Sequence, residues 1–236
     1  MRKRVIGLIL MAAGGAVTAQ PAGPAETNTR TALERIARID PQLHSVLAVD
    51  PTAIDQARRV DASSLRGPLA GQPVLIKDNI ESAGPLPTTA GSLALANNVT
   101  NRDAPLVARL RAAGVVIVGK TNLSEWANIR SSHSISGWSA VGGQTHNPWA
   151  IDRNPCGSSS GSGAAVAAGL VRMATGVQRG VQSHAKKKRP SGRFFVVLAG
   201  LQAVVETSRF SSILCSRGVS RSMRTPMPIE RMVRNR

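Results

Sequence analysis

The chain has 236 residues, of which 42% are hydrophobic, enough for one sizeable core or two small ones. Aromatics make up only 3% and Tyr is missing, so that core is aliphatic and rich in Ala. A net charge of +17 suggests nucleic acid or an anionic surface as a partner, but residues 1–171 hold 16 Lys/Arg against 11 Asp/Glu, while residues 172–236 hold 14 against 2. The charge belongs to the tail and does not assign a function to the body.

Met1 to Ala19 starts with Arg2, Lys3 and Arg4, runs apolar from Val5 to Val17 and ends on small residues. This is the pattern of a secretory signal cut near Ala19, too short to span a bilayer as a stable anchor. Gln20 to Thr29 reads as a Pro/Gly/Thr-rich linker. A helix is expected over Thr31 to Ile39, with Leu33, Ile36 and Ala37 at helical spacing and Asp40-Pro41 as its stop. Leu43 to Val49 reads as a strand. Thr52 to Val60 reads as a short helix with Thr52 in position to cap it. Val74-Leu75-Ile76 is a continuous apolar run, the mark of a strand buried on both faces.

Lys77 follows that run directly. An ammonium at the end of a buried strand must snorkel, pair or be neutral and chemically used. Asp78 is the obvious partner for a structural reading. Thr88 to Leu95 reads as a turn leading into a small-residue helix. Ala104 to Ala113 is an amphipathic helix ended by Gly114, and Val115 to Val118 is the next buried strand. Gly119-Lys120-Thr121 resembles part of a phosphate loop, but the strand lies between the glycines instead of before them, so that reading fails. Arg130 to Trp149 reads as a long structured loop with Trp138 and Trp149 as packing anchors.

Asn154 to Leu170, NPCGSSSGSGAAVAAGL, sets three serines in a glycine-bracketed turn before an Ala-rich helix. Ser159, Ser160 and Ser162 read as hydrogen-bonders of that loop. Cys156 reads as a small residue before it. One pair of cysteines, Cys156 and Cys215, cannot make a disulfide framework, and His44, His133, His146 and His184 form no metal-ligand spacing.

GPLAGQPVLIKDNIE (Gly67–Glu81), RAAGVVIVGKTNLSEWAN (Arg111–Asn128) and GGQTHNPWAIDRNPCGSSSGSGAAVAAGL (Gly142–Leu170) together resemble the amidase signature family of serine hydrolases. The wording NLSEWAN and RNPCGSSSGSGAAVAA is most similar to its bacterial peptide amidases. The resemblance covers roughly Thr31 to Val171. It implies an α/β fold, a mixed twisted sheet flanked by helices, present here as its N-terminal portion and followed by an irregular basic tail. It implies a Ser–Ser–Lys relay with Lys77 as general base and Ser158, on a cis peptide, as the bridging serine. It implies a small-molecule or peptide amide as substrate and no cofactor, metallic or organic. No specific nucleic acid and no stable membrane insertion are expected.

The same resemblance places a nucleophilic serine near position 182, where this chain has Gln182 next to Ser183, preceded by Val181. The small residues of an oxyanion turn are not there. We read residues 30–174 as a partial amidase domain and residues 175–236 as a disordered tail, the product of a shifted reading frame. On that reading the chain as written is inactive. The other function classes are a non-catalytic remnant and a cationic protein binding nucleic acid or anionic lipid through its tail; the cluster Lys186-Lys187-Lys188-Arg189 resembles a nuclear-localisation or RNA-binding patch, and a secretory N-terminus argues against both.

Overall fold

The computed structural model describes residues 21–129, 131–178 and 193–198. The expected signal segment, Gln182, Ser183, the basic cluster and Cys215 lie outside them. The first helix, α1, spans Pro24–Ile39, starting seven residues before the point the spacing predicts and absorbing most of the expected linker. The reason is a cap that comes from far along the chain. Pro24 takes the first helical position, where its fixed φ and missing N–H are harmless, and the Asp61 carboxylate accepts the next two amides, Ala25 N and Glu26 N, at 2.9 Å each.

Strand β1 (Val46–Val49) and helix α2 (Ala53–Ala62) follow. Thr52 takes the cap position, but its hydroxyl donates to Asp50 instead of serving the helix. Strand β2 (Pro73–Lys77) is buried along its whole length, as the apolar run demands. The helix expected near Leu95 is a single 3-10 turn at Leu93–Leu95. Helix α3 (Pro105–Ala112) buries Val107 and Leu110, ends at Gly114 with φ +80°, and leads into strand β3 (Val116–Thr121).

The 131–149 region carries only a small ladder, β4 (Trp138–Ser139) with β5 (Gly143–Gln144). Trp138 and Trp149 stand at the surface, 36% and 43% exposed, so neither is the packing anchor the sequence suggests. Helix α4 (Ser160–Ala167) is the Ala-rich run after the serine turn, and strand β6 (Met173–Gln178) returns to the sheet. In the tail, Arg193–Leu198 forms β7, antiparallel to β6. Its Phe-Phe-Val-Val-Leu composition suits a strand, and the free edge of β6 gives it a ladder to join.

The sheet order is β1-β3-β2-β6-β7. β2 is parallel to both β3 and β6, while β1 and β7 run antiparallel at the two edges. It is a mixed α/β sheet with helices on both faces. One face packs Leu75, Val116, Val118 and Ala174 under α1, α2 and α4. The other packs Val74, Ile76, Ile117 and Met173 under α3. Among the described residues no helix is long and apolar enough to cross a membrane.

Candidate active site

The site forms where the parallel strands end. Alternation along β2 sends Leu75 and Lys77 to the α4 face, and Ile76 and Asp78 to the α3 face. Lys77 is fully buried there. Its Nζ donates to Ser158 Oγ at 2.9 Å. Burial pushes the Lys77 amine down to about 7, far below the ordinary lysine range. A large fraction of it is therefore neutral near pH 7, within reach of a hydroxyl proton.

Ser158 sits in the turn before α4, and the Gly157–Ser158 peptide is cis, as the resemblance implied. Neighbouring segments hold that turn. Ser124 N donates to Ser158 O at 3.0 Å, and Ser124 Oγ accepts Gly137 N at 2.9 Å. A Cβ on Gly157 would lie 2.5 Å from Ser124 Oγ and 2.7 Å from Ser160 Oγ, so only glycine fits. Gly161 is equally constrained: its N–H donates to Asn122 O at 3.0 Å, and a Cβ there would meet Ser45 O at 2.3 Å. The end of β3 and the start of α4 thus touch through backbone.

The other serines are used up locally. Ser160 Oγ donates to Cys156 O at 2.5 Å. Ser162 Oγ donates to Thr175 O at 2.7 Å and lies 2.8 Å from Thr121 Oγ1, tying α4 to β6 and β3. Cys156 has φ +63° and stands in the turn before α4, where a small residue was expected.

Asp78 is not turned toward Lys77. Its carboxylate accepts from Thr89 N at 3.2 Å and from Thr89 Oγ1, and it faces Lys120 on the α3 side. Lys120 lies within β3, not in a phosphate loop, and is 1% exposed. Its Nζ donates to Ile80 O at 2.7 Å and Thr88 Oγ1 at 2.9 Å, with Asp78 Oδ1 at 4.0 Å. Burial pushes Lys120 down to about 8, while Asp78, Glu81 and Asp103 pull it back up. Burial likewise drives the Asp78 carboxyl up, against the pull of Thr89 and Lys120.

Residues 27–180 match the family described as Amidase. The chain belongs to the amidase family. The match reaches six residues beyond the boundary expected at 174. This amidase chain is 53% identical to the peptide amidase of Stenotrophomonas maltophilia, at a TM-score of 0.63 over 65% of this chain and 33% of that one. The same level of identity holds for a peptide amidase structure in complex with the competitive inhibitor chymostatin. A "Probable amidase" of Arabidopsis thaliana is 46% identical over 152 residues, 62% of this chain and 30% of that protein. The A subunit of the glutamyl-tRNA(Gln) amidotransferase of Salinispora arenicola is 45% identical over 157 residues, 64% of this chain and 31% of that subunit. The chain therefore spans about a third of the length of the amidase relatives it matches.

Of the residues singled out in the sequence, the fold brings Lys77 and Ser158 together across 81 positions of chain. Two contributors were not singled out for the site. Ser124 fixes the serine turn, and a hydroxyl in a loop gives no warning of that. Lys120 had a visible signal: like Lys77, it follows a buried apolar run, with Gly119 between.

Proposed function

We propose that residues 30–178 carry the base half of a peptide-amidase-like site for linear carboxamide bonds. The observation that carries this reading is the 2.9 Å contact between a buried lysine amine, Lys77, and Ser158 Oγ in an amidase-family chain. In the complete relay a third serine attacks the carboxamide carbon. Its proton passes to Ser158, and the Ser158 proton passes to Lys77 Nζ. The amine then returns a proton through Ser158 to the departing ammonia, leaving an acyl-enzyme for water to hydrolyse. Lys77 suits that task because its proton affinity is matched to neutral pH. The preferred substrate on this reading is a peptide with a C-terminal amide.

With Gln182 at the nucleophile's place, the chain as written releases no ammonia. Replacing everything after Gln178 with the corresponding part of the Stenotrophomonas maltophilia peptide amidase should restore release from a peptide amide. Lys77→Ala and Ser158→Ala should each abolish it. A folded chimera that stays inactive, or one that keeps its turnover without Lys77, would sink the proposal. The same reading includes export, checked by a secreted chain whose N-terminal sequence begins at Gln20.

A further inference from the structure

The relay leaves a deeply buried charged pair unused, Lys120 and Asp78, on the opposite face of the same two strands. The register explains why two buried lysines sit so close and face apart. β3 bulges between Ile117 and Gly119, where Val74 pairs with Ile117 but Leu75 pairs with Gly119. Beyond the bulge, Ile76 faces Lys120 and Lys77 faces Thr121. Lys120 thus joins Ile76 and Asp78 on the α3 face, and Thr121 joins Lys77 on the α4 face. Gly119 permits the bulge by bringing its α-carbon against β1, where a Cβ would lie 2.3 Å from Ala48 O.

From the pair, hydrogen bonds joined by short stretches of backbone lead to the serine turn. Asp78 O accepts Ala90 N at 2.8 Å, and Thr89 Oγ1, bound to the Asp78 carboxylate, accepts Gly91 N at 2.9 Å. Ala90 O accepts Trp126 N at 2.9 Å, two residues from Ser124, and Ser124 N holds Ser158 O. Lys120 closes the other end of the same loop by donating to Ile80 O and Thr88 Oγ1.

We propose that the Lys120–Asp78 pair is the positioning element of the relay: it clamps the 78–91 loop and the end of β2, so that Lys77 stays dry and aimed at Ser158. The inference rests on the reading of Lys77 as the base. Lys120 and Asp78 touch no reacting atom and act only through Lys77 and Ser158. The charged groups around Lys120 are Asp78, Glu81 and Asp103. Thr121, Ser158 and Ser162, on the Lys77 side, do not titrate.

The test is the titration of Lys77 in the full chain, followed by NMR of lysine labelled with 13C at Cε and assigned with a Lys77→Met variant. In the wild type the midpoint is expected at about 7. Lys120→Met and Asp78→Asn should both raise it by about one pH unit or more, a tenfold change in proton affinity, because either change loosens the clamp and lets water in. Through-space charge alone predicts opposite signs: loss of a cation raises the Lys77 midpoint and loss of an anion lowers it. Opposite shifts, or no shift in a folded variant, overturn the proposal. Where these two variants do not fold, Thr88→Val removes a single hydrogen bond from Lys120 and should give a smaller upward shift. No shift, or loss of fold even there, overturns it as well, the pair being then only a folding determinant. A wild-type midpoint near 10 would overturn the reading of Lys77 as base, whereas about 7 without a response in the variants overturns the positioning role alone.

Discussion

Lys77 and Lys120 are neighbours on adjacent strands, equally buried, and dissimilar in chemistry. Lys77 points at the hydroxyl of a serine turn. Lys120 points at a carboxylate, a carbonyl and a threonine. Burial lowers the proton affinity of both, Lys77 to about 7 and Lys120 to about 8, and Asp78, Glu81 and Asp103 pull Lys120 back up. Depth alone does not make a base. What matters is which face the side chain takes, because one face supplies a counter-charge and the other supplies a proton relay.

The sharpest way to break this contrast is kinetic. In the restored chimera, Lys77→Ala should lower turnover on a peptide amide by about 10²–10⁴-fold, the range of a lost general base. Stability should show the reverse ranking. Lys120→Met leaves Asp78 as an unpaired buried carboxylate and should cost about 3–5 kcal/mol in denaturant unfolding at pH 7. Lys77→Met removes an amine the fold must hold in a dry place, and should leave stability at pH 7 unchanged or higher.

A smaller effect lies in the pH dependence. The folded value of Lys77, about 7, lies below the ~10.4 of an unfolded lysine. Between the two the unfolded chain binds more protons, so stability rises with pH from about 7 to about 10 and is flat below. Lys77→Met should remove on the order of 2–4 kcal/mol of that rise and confine the remainder to the window above about 8 set by Lys120. Unfolding midpoints measured from pH 6.5 to 10 check it. The smallest effect belongs to Asp61, which serves neither lysine. Asp61→Ala should cost about 1 kcal/mol through the lost cap on α1 and leave the Lys77 titration where it was.

The buried strands, the amphipathic helix and the lysine at a strand end could be read directly from the sequence, because each is a local pattern of apolar residues. The join between Lys77 and Ser158 could be read only through the order of motifs, since nothing local relates residues 81 positions apart. Three features were not legible. The start of α1 depends on a carboxylate 36 residues downstream. The tryptophans lie at the surface because the 131–149 loop is held by polar contacts, such as Ala140 N to Glu125 Oε2 at 2.8 Å and Ser139 Oγ to Asn122 Oδ1 at 2.7 Å. The partner of Asp78 depends on the bulge in β3, and a one-residue shift in pairing has no signature in apolar periodicity.

That bulge also makes the site a matter of parity. Strands assign side chains to faces by odd and even count, and the extra residue at Val118-Gly119 changes the count for everything after it. Pairing the same residues without the bulge, Leu75 against Val118 and Ile76 against Gly119, would leave composition, hydropathy and nearly all of the core untouched. It would also exchange the sides of Lys120 and Thr121, setting a second ammonium beside Lys77 and leaving Asp78 to face a hydroxyl. For sequences of this kind, the pairing of β3 past Val118 therefore bears on a working relay as much as the identity of any residue within it.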